Sequence, residues 1–545
     1  MRLVACLAAL LTAAPAKPEA TGALALTRFG YGPRGSERAA VEKARWADVI
    51  ERQLAYERID DGQSDKALRE LDDLPTTAGE LIARFPKPNM LQKGMERMGI
   101  TREPPPDVDK PGELIQALQA RRLVRAVTTE RQLYEAMVEL WLDHFNVFAR
   151  KRGVMYAIAD YERIIREHAL GSFESLLIGV AESAAMAMYL DNDDNVRPNA
   201  PWPMQAIPDE VDLRACKYLP RERVEKLTRR ASKNKWPKGK EPKRERGINE
   251  NYARELLELH TLGVEGGYTQ NDVTEVARVF TGWTVFDPEG SLGCADSGRA
   301  VFVPELHDPG DKVVLGQTIA SAGREEGLQV LRLLARHAST ARFIATKLVH
   351  RFVADAPPAA LVDKVAATFT TSKGDLRAVM RVLALDEATI AAALQRSKVK
   401  RPFDLVVSSL RAVDAQTDGD VVTRRYLRAL NHMPYAWQTP NGYPDDAVRW
   451  TNVGALTQRL RFGIALAGNG IQGTRVELQK IVGDEIANGG KPIAAAELVD
   501  AIATRLLGKD LSKSTRDTAI AALGDDPNAA RAVGLLLGSP EFQHR

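Results

Sequence analysis

The chain has 545 residues, 44% of them hydrophobic, and a formal net charge of +3, so it is long enough for two or three domains or one large helical body. The near-neutral charge provides no whole-chain field that would favour nucleic acid. Aromatic residues are sparse at 6%, and Ala, Leu, Arg and Glu recur at helical spacing. We therefore predict a mainly α-helical fold with a large multi-helical body.

The N-terminus has the pattern of a secretory signal peptide. Met1 and Arg2 give a positive start, residues 3–14 are mostly apolar, and Ala16 ends a small-residue cleavage site. We predict a signal peptide at residues 1–16 and export to the periplasm or the extracellular space. No later stretch approaches the roughly 20 apolar residues of a membrane-spanning helix, so we expect no transmembrane segment in the mature chain.

Two helical segments follow the signal peptide. Residues 17–128 predict an N-terminal helical segment with a proline-rich loop, and residues 129–213 predict a helical core. An amphipathic helix in this core places His144 on an apolar stripe, where a lone histidine is more often a core residue than a ligand. The acidic run at residues 191–195 (DNDDN) offers oxygen ligands for calcium but lacks the glycine and glutamate of an EF-hand loop. A polar helix end is therefore the favoured interpretation.

The segment at residues 214–246 is strongly basic. It contains fourteen Lys or Arg and four Glu, a local balance of 14 − 4 = +10, so we predict a solvated loop or insertion. Such a surface can bind an anionic polysaccharide or phospholipid headgroups. The aromatic residues that a single-strand nucleic-acid binder interleaves with its basic residues are missing, and we expect no nucleic-acid partner for an exported protein.

Two cysteines, Cys216 and Cys294, remain after the signal peptide. Export permits disulfides, and a bond between these two would tie the basic segment to the loop that follows Trp283. The sequence does not show whether their Cα atoms approach within about 7 Å. Both the bonded and the free state stay open.

The most polar motif lies near the middle of the chain. Residues 249–263 (NENYARELLELHTLG) predict one short helix, in which Glu255 and Glu258 share one side and His260 lies about half a turn away. The two carboxylates can act as general acid and base, or as oxygen ligands of a divalent metal that other segments complete. The alternative is a solvated helix face on which Arg254 pairs with Glu258.

The segment that contains this motif, residues 247–355, then changes from helical to β-like patterning. Short β-branched and aromatic runs around a glycine-rich turn predict a small β-ribbon insertion around residues 283–317. Its loop carries His307, Asp308 and Lys312. An imidazole beside a carboxylate can act as a base or a metal ligand, and a lysine can neutralise an anionic substrate. The alternative is a turn that Asp308 stabilises by accepting backbone hydrogen bonds.

Residues 356–545 predict a C-terminal helical bundle. Its helical pattern is interrupted at residues 433–444 (MPYAWQTPNGYP), which are aromatic and rich in proline. We interpret this stretch as an aromatic loop that caps the core, with a carbohydrate-binding platform as the alternative. The chain has no Gly-x-Ser-x-Gly nucleophile motif, phosphate-binding loop or dinucleotide-binding fingerprint.

Together these motifs resemble a known family. The motif at residues 249–263, followed by GGYTQ and TGW, looks like the signature of the bacterial exported domain-of-unknown-function family 1800. Further segments agree in chain order, namely residues 28–33 (RFGYGP), 141–145 (WLDHF), 189–192 (YLDN), 307–308 (HD), 339–341 (STA) and 539–543 (SPEFQ). The resemblance implies a helical exported protein, frequently encoded beside a second exported family that is similar to alkaline phosphatases. It implies no established reaction.

Two classes of function follow as hypotheses. As an enzyme, the protein would be a hydrolase or lyase acting on an envelope or extracellular polymer. Its acid, base or metal-binding groups would be Glu255, Glu258, His307 and Asp308. Its substrate-positioning residues would be Asn251, Tyr252, Arg254, Trp283 and Lys312. The alternative is a non-catalytic helical binding or assembly factor that works with an exported phosphatase-like partner.

Overall fold

The computed structural model describes residues 21–71, 74–88, 110–200, 216, 247–483, 493–508, 511–524 and 527–545. The expected signal peptide at residues 1–16 and the basic segment at 214–246, apart from Cys216, lie outside the described residues. Within them the protein is mainly α-helical with small antiparallel β-sheets, which confirms the predicted fold class. Among these residues, no helix combines the length and the apolar composition that crossing a membrane requires.

Ten described α-helices precede the central motif. They are α1 (Gly22–Phe29), α2 (Arg38–Glu42), α3 (Trp46–Leu54), α4 (Gly62–Arg69), α5 (Ala78–Arg84), α6 (Pro111–Thr128), α7 (Gln132–His144), α8 (Val154–His168), α9 (Phe173–Ala181) and α10 (Ala184–Tyr189). Side chains of Thr21, Thr77, Ser172 and Ser183 cap four of them. Each cap accepts a backbone N–H that the first helical turn leaves unpaired.

The central motif begins as an α-helix and continues as a π-helix. α11 covers Asn251–Glu255, and the π-helix π1 covers Leu256–Thr261. The backbone N–H of Leu262 donates to Leu257 O at 2.9 Å, which is the five-residue bond of a π-helix. The expected single α-helix is therefore wider in its second half. The 100° spacing that placed His260 half a turn from Glu255 does not hold through π1.

Another helix and two β-hairpins follow π1. α12 covers Gln270–Val279, and Thr269 caps it together with Asp272. The hairpins pair β1 (Trp283–Val285) with β2 (Ala300–Phe302), and β3 (Lys312–Val314) with β4 (Gln317–Ile319). The predicted β insertion is confirmed.

The rest of the described chain is again helical. Its helices are α13 (Arg324–Ala335), α14 (Ala338–Phe352), α15 (Ala359–Thr371), α16 (Leu376–Leu385), α17 (Glu387–Leu394), α18 (Pro402–Ala412), the π-helix π2 (Val422–Leu427), α19 (Val453–Ala467), α20 (Gln479–Val482), α21 (Ala495–Leu507), α22 (Lys513–Leu523), α23 (Ala529–Leu537) and α24 (Pro540–Gln543). A third small sheet, which the sequence did not predict, pairs β5 (Gln416–Thr417) with β6 (Thr474–Arg475).

Buried apolar side chains form two large cores. The first is built chiefly by α1, α3 and α5 to α16, and the second by α18, π2, α19 and α21 to α23. α6 joins them, because Leu118 belongs to the first core and Leu123 to the second. The two ends of the described chain also meet here, where Arg28 on α1 donates to Arg545 O at 2.7 Å. Long-range polar contacts therefore cross the boundary between the cores.

Cys216 and Cys294 form a disulfide in the structure, at a sequence separation of 78 residues. The bond answers the question that the sequence left open. It encloses the central motif within a covalent loop, because α11, π1, α12 and β1 all lie between the two cysteines.

Replacing both cysteines by serine should lower the free energy of unfolding by about 2–4 kcal/mol, because the disulfide limits the conformations of the unfolded chain. Urea unfolding of the oxidised protein measures this difference. As a control, dithiothreitol should lower the wild-type value to that of the Cys216→Ser/Cys294→Ser variant and leave the variant unchanged. Equal stability of the oxidised wild type and the variant would contradict the prediction.

Candidate functional site

Glu255 and Glu258, called here the Glu255 pair, lie half-buried where α11 passes into π1. Burial raises the pKa of Glu255, and the Glu258 carboxylate adds to this shift. Arg254, for which the sequence offered a pair with Glu258, bonds to Glu250 at 3.1 Å and to Gln270 at 3.0 Å. A carboxyl with a raised pKa beside a second carboxylate is the pattern of a general acid and its partner.

Two predicted substrate-binding residues anchor this motif to its surroundings. Asn251 donates to Leu190 O at 3.1 Å. Tyr252 is buried, its ring centre lies 5.1 Å from that of Phe280, and burial raises its pKa. Both side chains are occupied by contacts within the protein, and these contacts fix α11 against its neighbours.

His307 belongs to a closed polar network. Its Nδ1 lies 2.8 Å from Thr281 O, and its Nε2 lies 3.1 Å from a carboxylate oxygen of Glu326. Lys312 donates to the other Glu326 oxygen at 2.6 Å. The side chains of Lys312 and Glu326 have no exposed surface. We call His307, Asp308, Lys312 and Glu326 the His307 network. Both ring nitrogens of His307 are engaged inside it.

Asp308 and Trp283 lie at the edge of the His307 network. Asp308 accepts hydrogen bonds from Arg278 at 3.0 and 3.2 Å, and Trp283 is buried with its ring centre 5.3 Å from that of Phe280. In the part of the chain that the structure describes, no hydrogen bond or ion pair joins this network to the Glu255 pair. The structure therefore brings the three predicted loop residues together and leaves the two glutamates apart from them.

A buried set of charged residues that the sequence analysis missed lies where the two cores meet. Arg401, which precedes α18, forms an ion pair with Asp143 in the last turn of α7, and its guanidinium lies 3.6 Å from Glu139. The same guanidinium lies 3.6 Å from Asp404 and 3.5 Å from Asp445. We call this set the carboxylate centre; its members are Glu139, Asp143, Arg401, Asp404, His432 and Asp445.

Asp143 is the carboxyl of this centre that resists ionisation. Burial raises its pKa to about 7; Arg401 opposes the shift and Glu139 adds to it. The pKa of Asp404 is shifted in the opposite direction. Three arginines lower it by more than burial raises it, so it lies well below the usual range. The Asp143 side chain keeps 14% of its exposure and that of Asp404 keeps 2%. The centre thus holds an acid that titrates near neutral pH at its accessible edge.

His432 lies within 4.8 Å of ligand-type oxygens of Glu139 and Asp143, a spacing that can suit a metal ion. The Phe403 N–H donates to its Nδ1 at 3.1 Å, and burial lowers the pKa of the imidazole well below its ordinary value. A neutral imidazole carries one proton, so that proton is on Nε2, which is then a donor. Both carboxylates also contact arginines. This donor set does not suit a divalent cation.

Lys347 on α14 connects the carboxylate centre electrostatically to π1. Burial lowers its pKa, and Asp445 and Asp143 oppose that shift. Burial and Lys347 together lower the pKa of His144 well below its ordinary value and that of His260 to about 3. The two imidazoles are therefore neutral, and His144 Nε2 lies 3.1 Å from His260 O. One polar layer thus extends from the carboxylate centre to the underside of π1.

The aromatic loop at residues 433–444 packs on the carboxylate centre. The ring centre of Tyr443 lies 4.2 Å from that of His432. Gly442 has a φ of +70°, and a Cβ at this position would lie 2.0 Å from Asp143 O. Glycine is therefore required for the loop to approach α7 so closely.

One sequence signal pointed to this centre. Glu135, Glu139 and Asp143 recur every four residues, so three carboxylates share one face of the otherwise apolar helix α7. Buried carboxylates need cationic partners, and Arg122 and Arg401 meet this need. The arginines gave no signal of their own, because Arg401 is 258 positions beyond Asp143.

The comparisons with known proteins give a family and no named relative. A model of the family described as "Protein of unknown function (DUF1800)" matches residues 24–544. No curated protein and no solved structure matches the chain. The match includes the whole carboxylate centre, the Glu255 pair and the His307 network.

Replacing Asp143 by asparagine should change how stability depends on pH. The pKa of Asp143 rises from 3.8 to about 7 on folding, so the folded wild type binds its proton more tightly and loses stability between about pH 4 and pH 7. Asparagine cannot ionise, so the variant does not lose stability in this pH range for this reason. The free energy of unfolding of Asp143→Asn, minus that of the wild type, should therefore rise between about pH 4 and pH 7 in urea titrations.

Asp386→Asn is the matched control. Against the cost of burial, Lys364 lowers the pKa of Asp386, so this group is ionised in both states from about pH 5 upwards. Asparagine also replaces aspartate well as the N-cap of α17. The control difference should stay flat with pH. A flat difference for Asp143→Asn would show that the environment of Asp143 does not disfavour its charge.

Proposed function

The chain belongs to the DUF1800 family, and we propose that it is a hydrolase or lyase that acts on an envelope or extracellular polymer by acid–base catalysis at the carboxylate centre. The observation that carries the proposal is the pairing of Asp143 with Glu139 at the accessible edge of a buried polar centre. Two neighbouring carboxyl groups in unlike environments are the usual arrangement of an acid and its partner in enzymes.

Within this proposal the two carboxyl groups have different tasks. Asp143, with its pKa raised to about 7, delivers a proton to the leaving group. Glu139 accepts a hydrogen bond from Arg122 at 2.6 Å, which fixes its orientation next to Asp143. It is the base that takes the proton of the attacking water in a hydrolase, or the proton removed from the sugar in a lyase. The imidazole of His432 is buried beside the two carboxyl groups, and its Nε2–H has no protein acceptor among the described residues.

The surroundings of the centre favour an acidic polymer. Lys347 lies within electrostatic reach of Asp143 and Asp445, which oppose the lowering of its pKa by burial, and in our proposal its ammonium group neutralises a substrate carboxylate. Trp437, in the aromatic loop, is partly exposed, and its ring centre lies 4.8 Å from that of Tyr443. Aromatic faces of this kind suit sugar rings. We therefore expect a polysaccharide that contains uronic acids, which also accords with the expected export.

The Glu255 pair is the competing position for the reaction. It is half-buried at a π-helix, and π-helices often occur at functional sites. Tyr189 lies between the two positions. On one side it is near Glu255, which adds to the rise of its pKa caused by burial. On the other side its hydroxyl donates to Gln438 O in the aromatic loop at 2.8 Å. In our proposal the pair binds the polymer where it approaches the carboxylate centre.

A specific observation also supports the alternative, a non-catalytic assembly factor that works with an exported phosphatase-like partner. The ion pairs of Arg401 join α7 of the first core to α18 of the second, and a purely structural network would need the same contacts. The two hypotheses differ in what the removal of a single proton-transfer group does to a folded protein.

Asp143→Asn should lower the turnover of a uronic-acid polysaccharide about 100-fold or more, because the proton donor is lost, while the variant stays folded by circular dichroism. Wild-type activity should also fall as the pH rises past about 7, where Asp143 loses its proton. Fragment masses identify the reaction. Each hydrolytic cut adds one water, whereas each lyase cut adds none and leaves an unsaturated end.

Matched variants separate the candidate positions. Asp386→Asn, at a helix cap, should keep full activity. Glu255→Gln should raise KM more than it lowers kcat, and His307→Gln should affect stability more than turnover. An inert Glu255→Gln beside an active Asp143→Asn would move the reaction to the Glu255 pair. An Asp143→Asn protein that unfolds, with a wild type inactive on acidic and neutral polymers, would favour the assembly factor.

A further inference from the structure

Helix α19 (Val453–Ala467) exposes an apolar face to solvent. Val453 is 82% exposed, Leu456 47%, Leu460 39% and Ile464 46%. Val448, in the turn just before the helix, is 77% exposed. These five residues, called here the apolar face of α19, are most of the large exposed hydrophobic residues found in the described part of the chain. A contiguous apolar patch on a protein surface usually marks an interaction site.

The spacing of these residues makes the face continuous. At 100° per residue, positions 453, 456, 460 and 464 fall within an arc of about 80°. The opposite side of the helix is buried, since Phe462 and Leu466 belong to the second core. A surface helix of a soluble protein normally turns polar residues outward. α19 is therefore apolar on both sides. Leu460 and Ile464 lie partly against Gly538 and Gly534 at the end of α23, and the remaining surface of the face is exposed.

The segment that carries this face is basic, and the acidic residues Asp446 and Glu477 lie directly outside it. Residues 447–476 contain Arg449, Arg459, Arg461 and Arg475 and no Asp or Glu, a net charge of 4 − 0 = +4. Arg459 is buried against Gln543, whereas the other three arginines are exposed. On the helical wheel, Arg461 lies at one edge of the apolar face.

A neighbouring helix extends the positive rim. π2 packs against α19 through Tyr426, whose ring centre lies 5.3 Å from that of Phe462. On π2, Arg425 is exposed, and Arg428 is exposed just beyond its end. The ten residues 421–430 contain no Asp or Glu. An apolar stripe flanked by arginines is the composition of a helix that lies in the plane of a membrane interface.

We propose that the apolar face of α19 docks on the surface of an anionic phospholipid bilayer, with its side chains entering the headgroup region and Arg449 and Arg461 meeting lipid phosphates. A second copy of the chain fits this surface less well. A two-fold contact would bring the arginines of both copies together, and Asp446, the acidic residue directly before this segment, already contacts His350 at 3.1 Å. The inference does not depend on the reaction proposed above.

The docking face continues into the carboxylate centre. Trp450 comes directly after Val448 and Arg449 in the chain, and its ring stacks on His432 with a centroid distance of 5.2 Å. Asp445 precedes the same turn and contacts Arg401. Docking at Val448 therefore holds the edge of the centre close to the lipid surface, where envelope polymers attached to lipid are within reach.

Sedimentation of the purified chain with phosphatidylcholine vesicles, with and without phosphatidylglycerol, tests the proposal. Binding is expected only to the anionic vesicles and should weaken as salt rises, because the arginine contacts are screened. Leu456→Ser/Leu460→Ser should lower the partition coefficient at least about tenfold, since two leucine side chains that would enter the lipid are lost. Arg449→Gln/Arg461→Gln should lower it by about fivefold per arginine.

Val264→Ser and Val313→Ser are the matched controls, because both valines are exposed, at 70% and 46%, and lie outside α19. These variants should bind like the wild type. Absence of binding to anionic vesicles would overturn the proposal. The proposal would also be overturned if the α19 variants bound the vesicles as strongly as the wild type, because binding would then belong to another part of the chain. A concentration-dependent dimer in analytical ultracentrifugation that Leu456→Ser/Leu460→Ser abolishes, without lipid binding, would assign the face to a second copy.

Discussion

The buried guanidinium of Arg401 is the interaction on which the arrangement of the two cores depends. It contacts Glu139 and Asp143 on α7 and Asp404 on α18, and Arg351 adds further bonds to Asp404 and Asp445. Removing one partner of such a buried pair typically costs about 3–5 kcal/mol, because the other charge is left without compensation. The relative position of α7 and α18 is thus set by charges as well as by apolar packing.

The same crowding makes the members of the centre chemically unequal. Three arginines surround Asp404 and hold its pKa low. Asp143 shares a single guanidinium with other carboxylates and lies next to Glu139, so burial prevails and its pKa rises to about 7. A network that joins two cores thereby also produces one proton donor that works near neutral pH. Fold and proposed chemistry therefore rest on the same few side chains.

Local sequence patterns predicted the local structure well. The amphipathic helix that carries His144 and the β-like runs around residues 283–317 follow from neighbouring residues, and the structure contains them. The π-helix was not predictable in this way, because its apolar pattern also fits an α-helix. The carboxylate centre was missed because Arg401 and His432 meet Asp143 only through the folded chain, and single arginines or histidines carry no local pattern.

Stability alone does not account for the carboxylate centre. Replacing a buried ion pair by apolar residues of similar volume is often neutral or stabilising, so the two cores could be joined more simply by further apolar packing. A purely structural network would also leave no reason for Asp143 to reach the accessible edge. In the His307 network, by contrast, the side chains of Lys312 and Glu326 have no exposed surface, and both imidazole nitrogens are bonded internally. The remaining exposure and the raised pKa of Asp143 are therefore the physical arguments for placing the reaction there.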